Sequence, residues 1–205
     1  MKIMQVPSLY RRSAIRTPGG AAHPNGGFTA IELMVVVAIV AVLTALAAPS
    51  FRPLIERWRV RDAAENITST IYLARSEAIK RSGNVIIMKY DTNGTCSTSG
   101  VTDWSCGWRV FFDFNGNGAT NCATIPVECD IRAASTPPPT TITLAGSSGV
   151  IIVDRWGMAS HAGGAPVNMS FDVMPKGKTM TDPNAARLCA GMGGRIVRKA
   201  GSETC

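Results

Sequence analysis

Acidic residues are missing from the first 26 positions of this chain, which carry Lys2, Arg11, Arg12 and Arg16. Charge, glycine and proline are all missing from 33–48. With 28–31 added, that run approaches the ~20 residues a helix needs to cross a bilayer. Histidine is scarce: His23 and His161 are the two present, and no nucleophile motif such as G-x-S-x-G accompanies them, so catalysis lacks its usual parts. No pair of cysteines has the CxxC-like spacing that structural zinc requires. Neither an enzymatic activity, a cofactor nor a metal is expected. Trp104, Trp108 and Trp156 read as core or sheet-face residues rather than a ligand platform.

What the chain does contain is enough for one domain with appendages: 205 residues, 45% hydrophobic and 17% charged. The formal charge of +7 is concentrated at the front, and without residues 1–27 the balance is 17 basic against 14 acidic side chains. Six cysteines all lie beyond the apolar run, which points to disulfides in an oxidising compartment. Among the fifteen possible pairings, the nearest-neighbour set is expected: Cys96 with Cys106, Cys122 with Cys129, Cys189 with Cys205. Each closes a short loop containing Gly or Pro.

One letter in the apolar run is out of place. Glu32 is a carboxylate in a stretch otherwise suited to lipid, where a charge costs roughly 3 kcal/mol or more and normally has a partner. A secretory signal places basic residues, apolar core and cleavage site in that order. Here the basic part ends at Gly26 and Gly27 with no apolar run inside it, so cleavage after Gly27 leaves the apolar helix on the mature chain. An uncleaved signal anchor explains the charge bias equally well, but it gives Glu32 nothing to pair with. Cleavage between Gly27 and Phe28 creates an α-amino group four residues from the carboxylate.

This Gly, then Phe, then Glu at the fifth mature position, followed by a continuous apolar helix, resembles the class III leader of type IV pilins and type II secretion pseudopilins. The resemblance implies a prepilin peptidase that cuts after Gly27 and methylates Phe28. It also implies that Glu32 pairs with the Phe28 amine of a neighbouring pilin or pseudopilin subunit as helices bundle at an inner-membrane assembly platform. The chain is then a single-pass protein of the bacterial inner membrane, in contact with its lipid, with its C-terminal head in the periplasm. Residues 1–27 form the leader, 28–51 the transmembrane and filament-packing helix, 52–82 an amphipathic helix and 83–205 the head. Met4 offers an alternative start and a shorter leader.

Past the apolar run, Pro49 and Pro53 are expected to interrupt and bend the helix. Val60, Ala64, Ile67, Ile71, Ala74 and Ala78 then recur at spacings of three and four, the mark of a helix laid on a core. Arg61 with Glu65, and Glu77 with Arg81, are surface pairs at four-residue spacing, and Gly83 ends the helix. From Phe28 to Ser82 its length is on the order of 80 Å, which implies a stalk. Thereafter 85–90, 108–114, 140–144, 150–153, 167–173 and 195–199 read as strands separated by turn residues. With no helical pattern between them, the sheet is expected to be antiparallel, giving an α+β chain.

Three words, ARSEAIKR at 74–81, GWRVFFDFNGNG at 107–118 and SFDVMPKG at 170–177, are similar to the FimT and GspH family of minor pilins and pseudopilins. That family implies a pilin-like architecture, with antiparallel sheets packed on the C-terminal half of the long helix. Asp113, Asn115, Asn117 and Gly118 spell the first half of a calcium loop, but its twelfth position is Thr124 rather than Glu; a tight turn is the expected reading. Several FimT relatives of transformable bacteria carry a GRxR element that resembles a site for double-stranded DNA in uptake during natural transformation, and this chain has Gly194-Arg195-Ile196-Val197-Arg198, one residue longer. In a regular strand Arg195 and Lys199 share a face while Arg198 points to the other, unless a bulge realigns them. DNA binding through Arg195, Arg198 and Lys199 is therefore the alternative function.

Overall fold

The computed structural model describes residues 27–98, 100–123, 128–162 and 164–205, with side chains at 48–50 outside that description. The elements are α1 (Ala30–Arg81), β1 (Val85–Lys89), β2 (Thr92–Asn93), β3 (Cys96–Ser97), β4 (Trp108–Phe112), β5 (Asp130–Ala134), β6 (Thr140–Leu144), β7 (Val150–Val153), β8 (Ala159–His161), β9 (Met169–Pro175), β10 (Ala186–Ala190) and β11 (Ile196–Ala200). The chain divides within α1 into one unit ending at Ala45 and a second from Leu46 to Cys205.

In the second unit, α1 presents Val60, Ala63, Ala64, Ile67, Ile71, Ala74 and Ala78 inward, all buried, because spacings of three and four place them on one stripe. Small alanines at 63, 64, 74 and 78 let the sheets approach the helix closely. The outward face carries the two expected pairs, Arg61 to Glu65 and Arg81 to Glu77, each at 2.7 Å. Both prolines lie inside the helix rather than interrupting it. Each removes one backbone hydrogen bond, but the burial of the turns that follow holds the downstream segment helical. The helix ends where Ser82 turns left-handed (φ 66°) and Gly83 follows at φ 111°, its N–H donating to the Ala78 carbonyl at 2.7 Å.

Two antiparallel sheets, not one, cover the helix. The larger runs β5-β4-β1-β7-β8 and the smaller β11-β10-β9-β6, with β2 and β3 forming a separate hairpin. Both contribute to a single apolar cluster: Ile87, Val110 and Ile151 from the first, Ile142, Phe171 and Leu188 from the second, all against the α1 stripe. Trp104 and Trp108 are 1% and 2% exposed. Trp104 meets Phe171 edge-on at 6.1 Å and donates to the Ser147 hydroxyl, and Trp108 donates to the Thr70 hydroxyl of α1 at 3.0 Å. Trp156 departs from the expectation for it: it is 72% exposed in the turn between β7 and β8, where Asp154 accepts its backbone N–H and no facing layer covers the ring.

Disulfides join Cys96 to Cys106, Cys122 to Cys129 and Cys189 to Cys205, with Cα separations of 5.4, 4.7 and 5.5 Å. The last ties the C-terminus to β10. Gly107 opens β4 with φ 91°, and a Cβ there would overlap the Ala134 carbonyl oxygen on β5, so the close approach of these two strands requires glycine.

Candidate processing and assembly site

Gly27 and Phe28 lie ahead of α1 without secondary structure, and Phe28 is 84% exposed. Thr29 caps the helix: its hydroxyl accepts the Glu32 N–H and its carbonyl the Leu33 N–H, both at 3.2 Å. Thr29-Ala30-Ile31-Glu32 is thus a T-x-x-E helix start, a signal that was present in the sequence and that sequence reasoning passed over. It places Glu32 at the third helical position, where a carboxylate gains about 0.3–1 kcal/mol from the helix dipole. That gain is well short of the roughly 3 kcal/mol a charge costs among lipid. Local helix chemistry accounts for part of Glu32, and a cationic partner would account for the rest. Among the described residues Glu32 forms no ion pair.

From Ala30 to Ala47 the helix is long and apolar enough to cross a membrane, and its side chains are exposed on every side. Ile31 and Leu46, at opposite ends, are each 72% exposed. The hydroxyl of Thr44 returns to the Val40 and Ala41 carbonyls at 2.9 and 3.0 Å, so its polarity is absorbed within the helix. A helix apolar all round is stable only against lipid or other helices.

The C-terminal basic residues are distributed over two faces. In the β10–β11 ladder Arg198 stands opposite buried Leu188, and Lys199 opposite Arg187. Arg198 therefore projects from the face toward α1 and Lys199 from the outer face. The register is continuous, without a bulge, and the Gly191 N–H to Arg195 carbonyl bond extends it one step, so strand alternation puts Arg195 on the side of Lys199. Arg187 is taken by a bidentate pair with Asp172, at 2.6 and 3.1 Å, which holds its pKa above the ordinary arginine value.

The D-x-N-x-N-G loop is held closed from within. The Asp113 carboxylate accepts backbone N–H bonds from Gly116, Asn117 and Gly118. Buried Glu128 accepts those of Phe114 and Asn115. Glu128 had no local signal, since it arrives from 13 residues beyond Asn115. Position 124 and His23 lie outside the described residues.

His161 ends β8 with a buried Nδ1 that has no hydrogen-bond partner among the described residues, and burial lowers its pKa below the usual 6.5. The folded chain then binds this proton less readily than the unfolded chain, so stability is full above about 6.5 and declines as pH falls toward the depressed folded value. We expect the thermal midpoint of the head to fall modestly between pH 7.5 and 5, and His161→Gln to flatten that slope. An unchanged slope in the variant refutes the assignment.

An apolar helix introduced by Gly27, Phe28 and Glu32, whose second half carries two antiparallel sheets, defines a pilin-like subunit. Residues 63–195 match the family model of the type II transport protein GspH, and residues 23–48 match the prokaryotic N-terminal methylation motif. The chain belongs to the GspH family of minor pilins and pseudopilins. Its fold is similar to that of the type IV minor pilin FimU of Pseudomonas aeruginosa, at 19% identity, over 73% of this chain and 95% of that one, with a TM-score of 0.51. A second crystal form of FimU gives 19%, 70%, 94% and 0.49. The minor pseudopilin EpsH from the type 2 secretion system of Vibrio cholerae gives 12%, 71%, 99% and 0.45. No curated protein sequence matches the chain significantly.

Proposed function

We propose that this protein is a minor pilin or pseudopilin that is cut between Gly27 and Phe28, methylated on Phe28, and drawn from the bacterial inner membrane into a type IV pilus or type II secretion pseudopilus, which it joins or primes. Its head sits in the periplasm, and it acts by assembly rather than catalysis. Its partners are a prepilin peptidase, an inner-membrane assembly platform and other pilin or pseudopilin subunits, whose Phe28-equivalent amines receive Glu32. The observation that carries this reading is Glu32 in the first turn of a helix exposed and apolar on every side, with the Gly27-Phe28 junction of the matched methylation motif just ahead.

The N-terminus tests it. Mass spectrometry of the protein from its native host is expected to show a chain beginning at N-methylated Phe28, and an intact front end overturns the proposal. Gly27→Ala is expected to abolish cleavage, leaving the leader on essentially all of the protein, because a methyl group at the scissile position obstructs the peptidase. Deletion followed by parallel assays of piliation, exoprotein secretion and DNA uptake assigns the machine.

A further inference from the structure

Arg198, turned toward α1, stands among charges that sequence spacing did not bring together. A cleft of about 310 Å³ opens between α1 and the β10–β11 edge, and Arg57, Arg61 and Arg198 line it with no carboxylate among its walls. A neighbouring cleft of about 350 Å³ shares Arg61 and Arg198. Its one acid, Glu65, is engaged by Arg61 at 2.7 Å. The Lys199 side chain, on the outer face of β11, donates to the Thr204 carbonyl at 2.7 Å and points away from α1. Arg57 and Arg198 ion-pair with none of the described carboxylates. Cations converging from a helix and a strand in this way make a site for an anion.

The surroundings indicate which anion. Phe51, Leu54, Ile55 and Trp58 are 45–64% exposed, and at 3.6 residues per turn they form a stripe opposite the buried one. Arg57 and Arg61 flank that stripe on one side, Arg52 and Arg59 on the other. Exposed apolar side chains with a tryptophan, bordered by arginines, have the composition of a surface that meets a membrane interface. A nucleic acid would satisfy the arginines and leave the stripe uncovered. In sequence, Phe51 follows the apolar span ending at Ala47 by four residues. Arg52, Arg57, Arg59 and Arg61 after the span equal in number the four basic residues before it, so a topological preference for positive charge on one side does not explain them.

We propose that the cleft between Arg57, Arg61 and Arg198 binds the phosphate of an anionic glycerophospholipid headgroup. This rests on the membrane-anchored reading above. The site steadies the head on the lipid surface until assembly withdraws the helix.

Native mass spectrometry of the full chain released from detergent micelles, with equal phosphatidylglycerol and phosphatidylcholine added, reads the site directly. The unaltered protein is expected to retain phosphatidylglycerol preferentially. Arg57→Gln with Arg198→Gln is expected to lower that retention about 30-fold, with Arg195→Gln, outside the cleft, leaving it unchanged. All three side chains are exposed, so the fold survives, and an unchanged thermal midpoint verifies it. Undiminished retention in the double variant, or an equal loss in Arg195→Gln, overturns the site. Separate arms add inorganic phosphate and a 12-base-pair duplex. Displacement of the lipid by equimolar phosphate, or duplex binding lost in the double variant without lipid preference, overturns the headgroup assignment. Carbonate extraction of native membranes tests insertion independently, since headgroup selectivity in micelles does not require the helix to cross a bilayer.

Discussion

Glu32→Gln is expected to insert and to be cleaved normally, yet to be missing from filaments. Glutamine keeps the side-chain acceptor that a T-x-x-E helix start uses, so any capping contribution is preserved. Only the charge is lost. Its removal relieves roughly 3 kcal/mol of insertion cost, so membrane levels should hold or rise. The same change leaves the neighbour's α-amine without a counter-ion in a dry helix bundle, where an unpaired charge costs several kcal/mol. At 1.4 kcal/mol per factor of ten, that corresponds to a loss of incorporation of two orders of magnitude or more. Glu32→Ala should behave alike. Immunoblotting sheared filaments against the membrane fraction measures both, and incorporation of Glu32→Gln at the unaltered level would remove the pairing argument.

Trp108→Ala should destabilise the head by about 3–5 kcal/mol. The ring is buried to 2% exposure and lies with Ile67, Ile71, Ile87 and Ile151 where helix and sheet meet. Its Nε1 donates to Thr70 on α1, so this one side chain joins the two layers through both packing and a hydrogen bond. Trp108→Phe keeps much of the volume but strands the Thr70 hydroxyl, with an expected loss of about 1–3 kcal/mol. Thr70→Val made together with Trp108→Phe should cost less than the sum of the two single changes, because both remove one shared bond. Urea unfolding with disulfides intact reads these differences. A loss below about 1 kcal/mol for Trp108→Ala contradicts the placement of the ring at the layer junction.

The α1 stripe was legible because a 3.6-residue period is written in neighbouring letters, and β1, β6 and β7 were legible as short runs rich in β-branched residues. Others were not. β10 reads Ala-Arg-Leu-Cys-Ala, and alanine is a poor strand former. It is a strand because β9 and β11 pair with it on both sides. β5 lies at a sheet edge and is half-exposed, so its apolar alternation is faint. The division into two sheets also left no local mark, since both bury their inner faces in one cluster. The turn at Asp113 was readable from its Asn and Gly residues, whereas the second carboxylate that holds it, Glu128, was not.

The amino-acid order alone determined the apolar helix and the proposed processing site ahead of it, since Gly27, Phe28, Thr29, Glu32 and the apolar run lie in one continuous segment. Only the tertiary structure decided which side of β11 Arg198 occupies and that Arg57 and Arg61 stand beside it. A strand residue's face depends on register with partners far along the chain, and the meeting of a helix with a sheet edge depends on how a shared core packs. Neither is contained in the spacing of adjacent letters.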